Sequence, residues 1–182
     1  MPFTFTRLRI PGLVLVESRR FEDPRGSFME AYQEAAFAAG GIGDRFVQGN
    51  LSRSLKGTLR GLHFQKPPKV QAKLLLVLKG TIFDVAVDLR RHSPTFGEWE
   101  AVTLAEGTGR MLYVPEGFAH GFCVTSEEAE VLYQVSAPYA PELDRGVLWS
   151  DPALAVPWPA KAPVLSAKDA VLPLLRDADN PF

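Results

Sequence analysis

Histidine is scarce in this chain, and its placement suggests where chemistry could occur. His63 stands in TLRGLHFQ, residues 58–65, three residues after Arg60. Lys73 follows ten residues later and opens the apolar run KLLLVL. An imidazole in that setting leaves three readings open. It can ligate a metal, move a proton near neutral pH because its ordinary pKa is about 6.5, or sit as a polar side chain held by packing. Lys73 is either a side chain that snorkels to solvent or a fixed positive charge on a buried strand, and its leucine neighbours favour the buried strand. His120 ends GRMLYVPEGFAH, and His92 lies in the turn-like RRHSPTFG, which completes a set of three histidines. Cys123 is the only cysteine, so neither an intrachain disulfide nor a cysteine-based zinc site can form, and a reducing cytoplasm suits the composition.

These residues must be positioned by short strands. The 182 residues are 46% hydrophobic and 23% charged, enough for one sizeable core, and a single domain over 1–182 is expected. LVLVESRRF, KLLLVLKG, TIFDVAVDLR, EWEAVTL, RMLYVPEG and AEVLYQV are separated by Gly, Pro, Asp and Ser. In TIFDVAVDLR, Phe83, Val85, Val87 and Leu89 alternate with Asp84, Ala86 and Asp88, which predicts a strand with one buried face. Only YQEAAFAAG, residues 32–40, and SAKDAVLPLL near the C-terminus read as helical. The pattern predicts an all-β sandwich, barrel or jelly roll. The proline-rich DPALAVPWPAKAPVL is expected to lie extended over the body, because proline cannot join an interior ladder. The formal net charge of −1 gives no global field for nucleic acid or an anionic membrane, so an anionic ligand needs a local cluster. No run approaches the roughly 18 apolar residues of a membrane helix and no leader is evident, so the expected location is cytoplasmic.

The spacing of Gly109, Pro115, Gly117 and His120 resembles the second motif of the cupins, small jelly-roll barrels, and Gly57 and His63 match the opening of the first. A metal-binding cupin carries a second histidine and a glutamate where this chain has Gln65 and Lys73. An ammonium has no lone pair to offer a cation, so the usual cupin metal site is not expected here. A lysine at that position could instead hold an anion or stabilise one that forms during reaction.

Six ordered blocks, DPRGSFME, QGNLSRSLKGTLRGLHFQ, VDLRRHSPTFGEW, VPEGFAHGF, LYQVSAPYAPELDRGVLWSDP and LSAKD, resemble the dTDP-4-dehydrorhamnose 3,5-epimerases over nearly the whole chain. The resemblance implies a metal-free, cofactor-independent homodimer with a cupin-type jelly roll. Its implied reaction is inversion of the two carbons flanking the 4-keto group of dTDP-4-dehydro-6-deoxy-D-glucose on the way to dTDP-L-rhamnose. By resemblance His63 is the base, Asp169 its carboxylate partner, Lys73 the cation beside the enolate oxygen, and Tyr133 the acid on the opposite face. A phenol with pKa about 10 stays protonated at neutral pH and can donate. The resemblance also places Arg25, Glu30, Gln48, Gly49, Asn50, Arg60, His120 and Lys168 around the nucleotide sugar. Phe21 and Tyr139 are aromatic candidates for stacking on the base. The segment carrying Arg25 and Glu30 is expected to reach into the partner subunit's site. Two departures concern the rim: Asp144 stands where a glutamate is expected, with Glu142 as an alternative, and Gln134 where lysine is frequent.

Simpler readings compete residue by residue. Ser166 and Asp169 have capping-box spacing, so Asp169 could cap a short helix. Tyr133 and Phe21 could be core or interface aromatics, Arg25 a turn residue, and His120 a wall of the pocket. At the level of function, the alternatives are an epimerase of one carbon only, a metal-dependent cupin oxygenase, or a cupin that binds a sugar without reacting it.

Overall fold

The computed structural model describes residues 2–182. Its strands are β1 (Phe3–Arg7), β2 (Val14–Ser18), β3 (Arg20–Asp23), β4 (Gly26–Met29), β5 (Gln48–Leu55), β6 (Leu59–Gln65), β7 (Lys73–Lys79), β8 (Thr81–Asp88), β9 (Trp99–Ala105), β10 (Arg110–Val114), β11 (Phe118–Val124), β12 (Glu128–Val135) and β13 (Asp144–Gly146). Six form one sheet in the order β1-β2-β10-β7-β12-β5 and five form another in the order β13-β6-β11-β8-β9, while β3 and β4 make a separate hairpin. Pairs such as β10 with β7 and β11 with β6 join strands distant in sequence and run antiparallel, the connectivity of a jelly roll. The two sheets face each other as a flattened, open barrel, in keeping with the expected all-β cupin-like class.

The core has three layers. Between the sheets, Leu75 and Val77 of β7 and Leu112 of β10 meet Ile82 and Ala86 of β8 and Phe118 and Phe122 of β11. On the outer face of the larger sheet, Leu74, Leu76, Met111 and Tyr113 pack under Phe37 of α1 (Glu34–Ala39). On the outer face of the smaller sheet, Leu62, Phe64, Val85 and Val87 are covered by Val147, Leu154 and Ala178, with Val156 and Trp158 beside them. Strands covered on both faces have no polar side to show, which explains why KLLLVL reads as an unbroken apolar run.

The expectation of one buried face for β8 is corrected. Val85, Val87 and Leu89 are buried as expected and Phe83 only partly so, but Asp84, Ala86 and Asp88 on the other face are also at 0% exposure. Ala86 packs between the sheets, Asp84 bonds His120, and Asp88 accepts bonds from Arg90, Ser93 and Thr95. The proline-rich tail does lie over the body, packing Leu154, Val156 and Trp158 on the smaller sheet and pairing its backbone through one parallel bridge, Thr58 to Val164. The helical expectations shrink: residues 32–40 give only α1, whose N-cap Gln33 accepts from the Ala36 N–H. SAKDAVLPLL, residues 166–175, holds one 3-10 turn, Asp169–Val171, and ends where a second, Leu175–Asp177, begins, because Pro173 between them cannot donate the bond that would continue a helix.

One close approach positions the site. A Cβ on Gly61 would lie 2.5 Å from the Gly121 Cα, and Gly61 has φ +135, a conformation other residues rarely adopt. The two glycines let β6 and β11 touch beside a bulge between His120 and Phe122, and His63 sits directly across from His120.

Candidate active site

Both sheets contribute to one cleft. β6 carries Arg60 and His63, β11 carries His120 and Phe122, β7 carries Lys73 and Leu75, and β12 carries Tyr133. The tail closes one side through Val164, Ser166, Lys168 and Asp169, enclosing about 410 Å³. A second hollow of about 290 Å³ is lined by Gln48, Asn50, Gln65, Gln71, Tyr139 and Asp144. His63, Lys73 and Tyr133 line both, so they stand where the two spaces meet.

His63 Nε2 lies 2.6 Å from Asp169 Oδ1. The Asp169 side chain is 4% exposed and that of His63 30%, so the carboxylate is shielded while the ring still meets the cleft. Burial acts to raise the Asp169 carboxyl, but the bond and charge of His63, the Gly61 backbone N–H and Ser166 together hold it below the usual carboxylate range. Only the serine half of the capping spacing forms, the Asp169 backbone N–H donating to Ser166 Oγ at 3.1 Å, while the Asp169 carboxylate goes to His63 and caps nothing. The turn fixes the backbone and leaves the carboxylate free to reach His63.

Lys73 is buried, and its Nζ donates to the His63 carbonyl at 3.2 Å. It does not snorkel to solvent. Burial pushes its ammonium down to about 8, against the opposing pull of Asp144 and Asp84, with Lys168 adding to the fall. Burial likewise raises the Tyr133 phenol above its ordinary value, Arg60 counteracting and Asp144 assisting, so it stays protonated. His120 Nε2 meets Asp84 Oδ1 at 2.8 Å, and burial is the main reason its pKa is lowered.

The rim residues interlock. Tyr139 Oη donates to Asp144 Oδ2 at 3.0 Å, the Lys168 ammonium donates to the same oxygen, and the Tyr139 N–H donates to Gln48 Oε1. Gln48 Nε2 in turn donates to Asn50 Oδ1. Arg60 Nε donates to Ser54 Oγ. Asp144 therefore reaches the cleft itself despite its short side chain, and Glu142, whose carbonyl accepts from Arg145, does not line it. Gln134 faces away from the cleft beside Ala31, Tyr32 and Leu132, so that departure does not touch the rim.

Four expected site residues are not brought to this chain's cleft. Phe21, Arg25 and Glu30 belong to or adjoin the exposed β3–β4 hairpin, where Arg25 pairs with Asp23 at 2.6 Å. Gly49 lies on β5 between Gln48 and Asn50 and is exposed. Sequence reasoning also missed groups that matter: Asp84 behind His120, and Gln71, held by the Ala137 carbonyl at 2.8 Å. Asp84 reads as an ordinary polar residue on an alternating strand, so only its partner across the sheet distinguishes it. Among the described residues no group of three His, Cys, Asp or Glu side chains is placed to hold a metal ion.

This arrangement can perform carbon-acid chemistry. An imidazole sits on one sheet and a protonated phenol on the other, and a buried ammonium lining the same junction could neutralise a developing oxyanion. A profile of the protein family described as dTDP-4-dehydrorhamnose 3,5-epimerase matches residues 7–177. The chain belongs to that family.

Its membership in the dTDP-4-dehydrorhamnose 3,5-epimerase family is supported at every level of comparison. A relative of that name from Pseudomonas aeruginosa is 49% identical over 176 residues, covering 96% of this chain and 97% of the relative. The crystal structure of the Bacillus anthracis dTDP-4-dehydrorhamnose 3,5-epimerase, with TDP and PPi bound, has a TM-score of 0.92 at 46% identity and covers 94% of this chain and 99% of its own. That of a dTDP-6-deoxy-D-glucose-3,5-epimerase from Legionella pneumophila, in complex with dTDP-4-keto-L-rhamnose, also has a TM-score of 0.92, at 44% identity over 96% and 93% of the two chains.

Proposed function

We propose that this protein inverts carbons 3 and 5 of dTDP-4-dehydro-6-deoxy-D-glucose to give dTDP-4-dehydro-L-rhamnose. The observation that carries the proposal is the placement of His63 and Tyr133 on opposite sheets with Lys73 lining the same junction. A C–H beside a ketone becomes acidic when the electrons left behind spread onto the carbonyl oxygen. His63, oriented by Asp169, takes the proton; Lys73 stabilises the enolate oxygen; Tyr133 returns a proton from the other face. Inversion needs that two-sided supply, because a single base returning its own proton restores the starting configuration. No step calls for an electron acceptor or a hydride, so the side chains suffice.

Arg60, Lys168, Gln48, Asn50 and His120 then hold the nucleotide sugar, and Tyr139, at the exposed end of the second hollow, offers a face to the base. Phe21, Arg25 and Glu30 serve the partner subunit's site in a homodimer. In favour of this are the isolated hairpin, with Phe21 46% and Phe28 67% exposed, and the apolar side chains Leu51, Leu55 and Leu78 exposed on the larger sheet. The one buried cysteine suits work in a reducing cytoplasm.

Incubation with the substrate in deuterated water, with chelator present, tests the reaction. Deuterium at both carbons and a rhamnose-configured product are expected. Deuterium at carbon 3 alone would assign a mono-epimerase, and none at either carbon would overturn the assignment of His63 as base.

A further inference from the structure

Asp84 is a fully buried carboxylate that the proton-transfer scheme above does not use. One oxygen, Oδ1, meets His120 Nε2 at 2.8 Å, while Oδ2 is buried with no hydrogen-bond partner among the described residues. A buried carboxylate with a bare oxygen is costly and persists where its charge offsets another buried charge. The other acids near the cleft are already engaged: Asp144 by Tyr139 and Lys168, Asp169 by His63 and its own turn. Among the described residues, the buried cation without a carboxylate hydrogen-bonded to it is Lys73, whose ammonium donates to the neutral His63 carbonyl.

We infer that Asp84 is a positioning residue: its charge keeps Lys73 protonated, and its contact fixes which nitrogen of His120 carries the proton. The inference rests on the assignment of Lys73 as the countercharge of the proposed reaction. A carboxylate only accepts, so His120 Nε2 must be the N–H, and in the neutral ring Nδ1 is left as a lone-pair acceptor. Burial favours that neutral ring, with Lys73 and His63 adding to the effect and Asp84 opposing it. His120 would then accept a hydrogen bond from a sugar hydroxyl.

For Lys73 the surrounding charges must be weighed together. His63, His120 and the Tyr133 phenol face the same cleft from β6, β11 and β12. Asp144 of β13 is the stronger attraction in the free protein, but it shares its charge with Lys168, which repels Lys73. Arg60 and Lys168 add positive charge to the cleft, and Asp169 is committed to His63. Asp84 is the attraction with no competing cationic partner.

The test labels lysine at 13Cε and follows the Lys73 resonance, assigned by its loss in Lys73→Met, as pH rises. Asp84→Asn should lower the Lys73 midpoint by about one pH unit. His120→Gln, which keeps the carboxylate and removes the imidazole, should leave the midpoint where it was or raise it. An unchanged midpoint in Asp84→Asn overturns the inference. So does a fall in His120→Gln, and where Asp84→Asn does not fold Asp84→Ser takes its place, an unchanged midpoint there again overturning the inference. The titration needs no turnover, so it can fail while deuterium exchange succeeds, or succeed while exchange fails.

Discussion

At the scale of single residues, the site separates three tasks that solution chemistry would mix. In the proposed reaction Asp169 orients His63, so Asp169→Asn should lower kcat by roughly 100-fold or more, read by steady-state kinetics. Tyr133→Phe removes the proton donor and leaves the base. It should still admit deuterium from solvent at the acidic carbons while forming little inverted product, and NMR of the recovered sugar distinguishes exchange from inversion. Lys73 gives a pH signature of opposite signs. Its native pKa of about 8 lies below its ordinary 10.5, so between those values the unfolded chain binds more protons than the native one. Stability from this group therefore rises with pH across that window, while the countercharge, and with it kcat, is lost as pH rises through about 8. Lys73→Met should raise Tm at neutral pH while abolishing turnover. A buried charge that destabilises the fold and enables the reaction is the expected cost of function at such a site.

At the scale of elements, placement depends on how closely β6 and β11 approach. Gly61→Ala would force a side chain against Gly121 in a backbone conformation that disfavours it, at a cost of about 1–3 kcal/mol. Thermal denaturation should show the loss, and kcat should fall too, since His63 follows two residues later on the same strand. The sequence makes much of this scale legible. The glycine and histidine spacing pointed to a small jelly roll, and KLLLVL and AEVLYQV became β7 and β12 carrying Lys73 and Tyr133. Asp84 and the Gly61–Gly121 contact were not legible, because each draws its meaning from a strand more than 30 residues away. For β8, alternation identified Val85, Val87 and Leu89 as buried but concealed the burial of Asp84 and Asp88. Period-two reasoning assumes one wet face, and here the tail covers one face and the second sheet the other. The position of Asp169 was legible from LSAKD, but its dual use as turn former and carboxylate partner emerged only from the geometry.

At the scale of the whole molecule, the proposed dimer makes a direct prediction. If Arg25 serves the partner subunit's site, Arg25→Ala and His63→Ala place their defects in different halves of each composite site. Mixed and reassembled, the two poorly active variants should recover roughly a quarter of wild-type turnover, because half the dimers would be mixed and each would hold one intact site. Sites confined to single chains would give no recovery.

The tail that covers the smaller sheet also delivers Asp169, 106 residues beyond the histidine it serves. The ribosome therefore releases the base long before its partner exists. A nascent chain with both sheets nearly formed still has an uncovered apolar face and an unoriented imidazole, and one docking event resolves both. A chain interrupted before the tail has settled would hold His63 without the carboxylate that orients it in the proposed reaction.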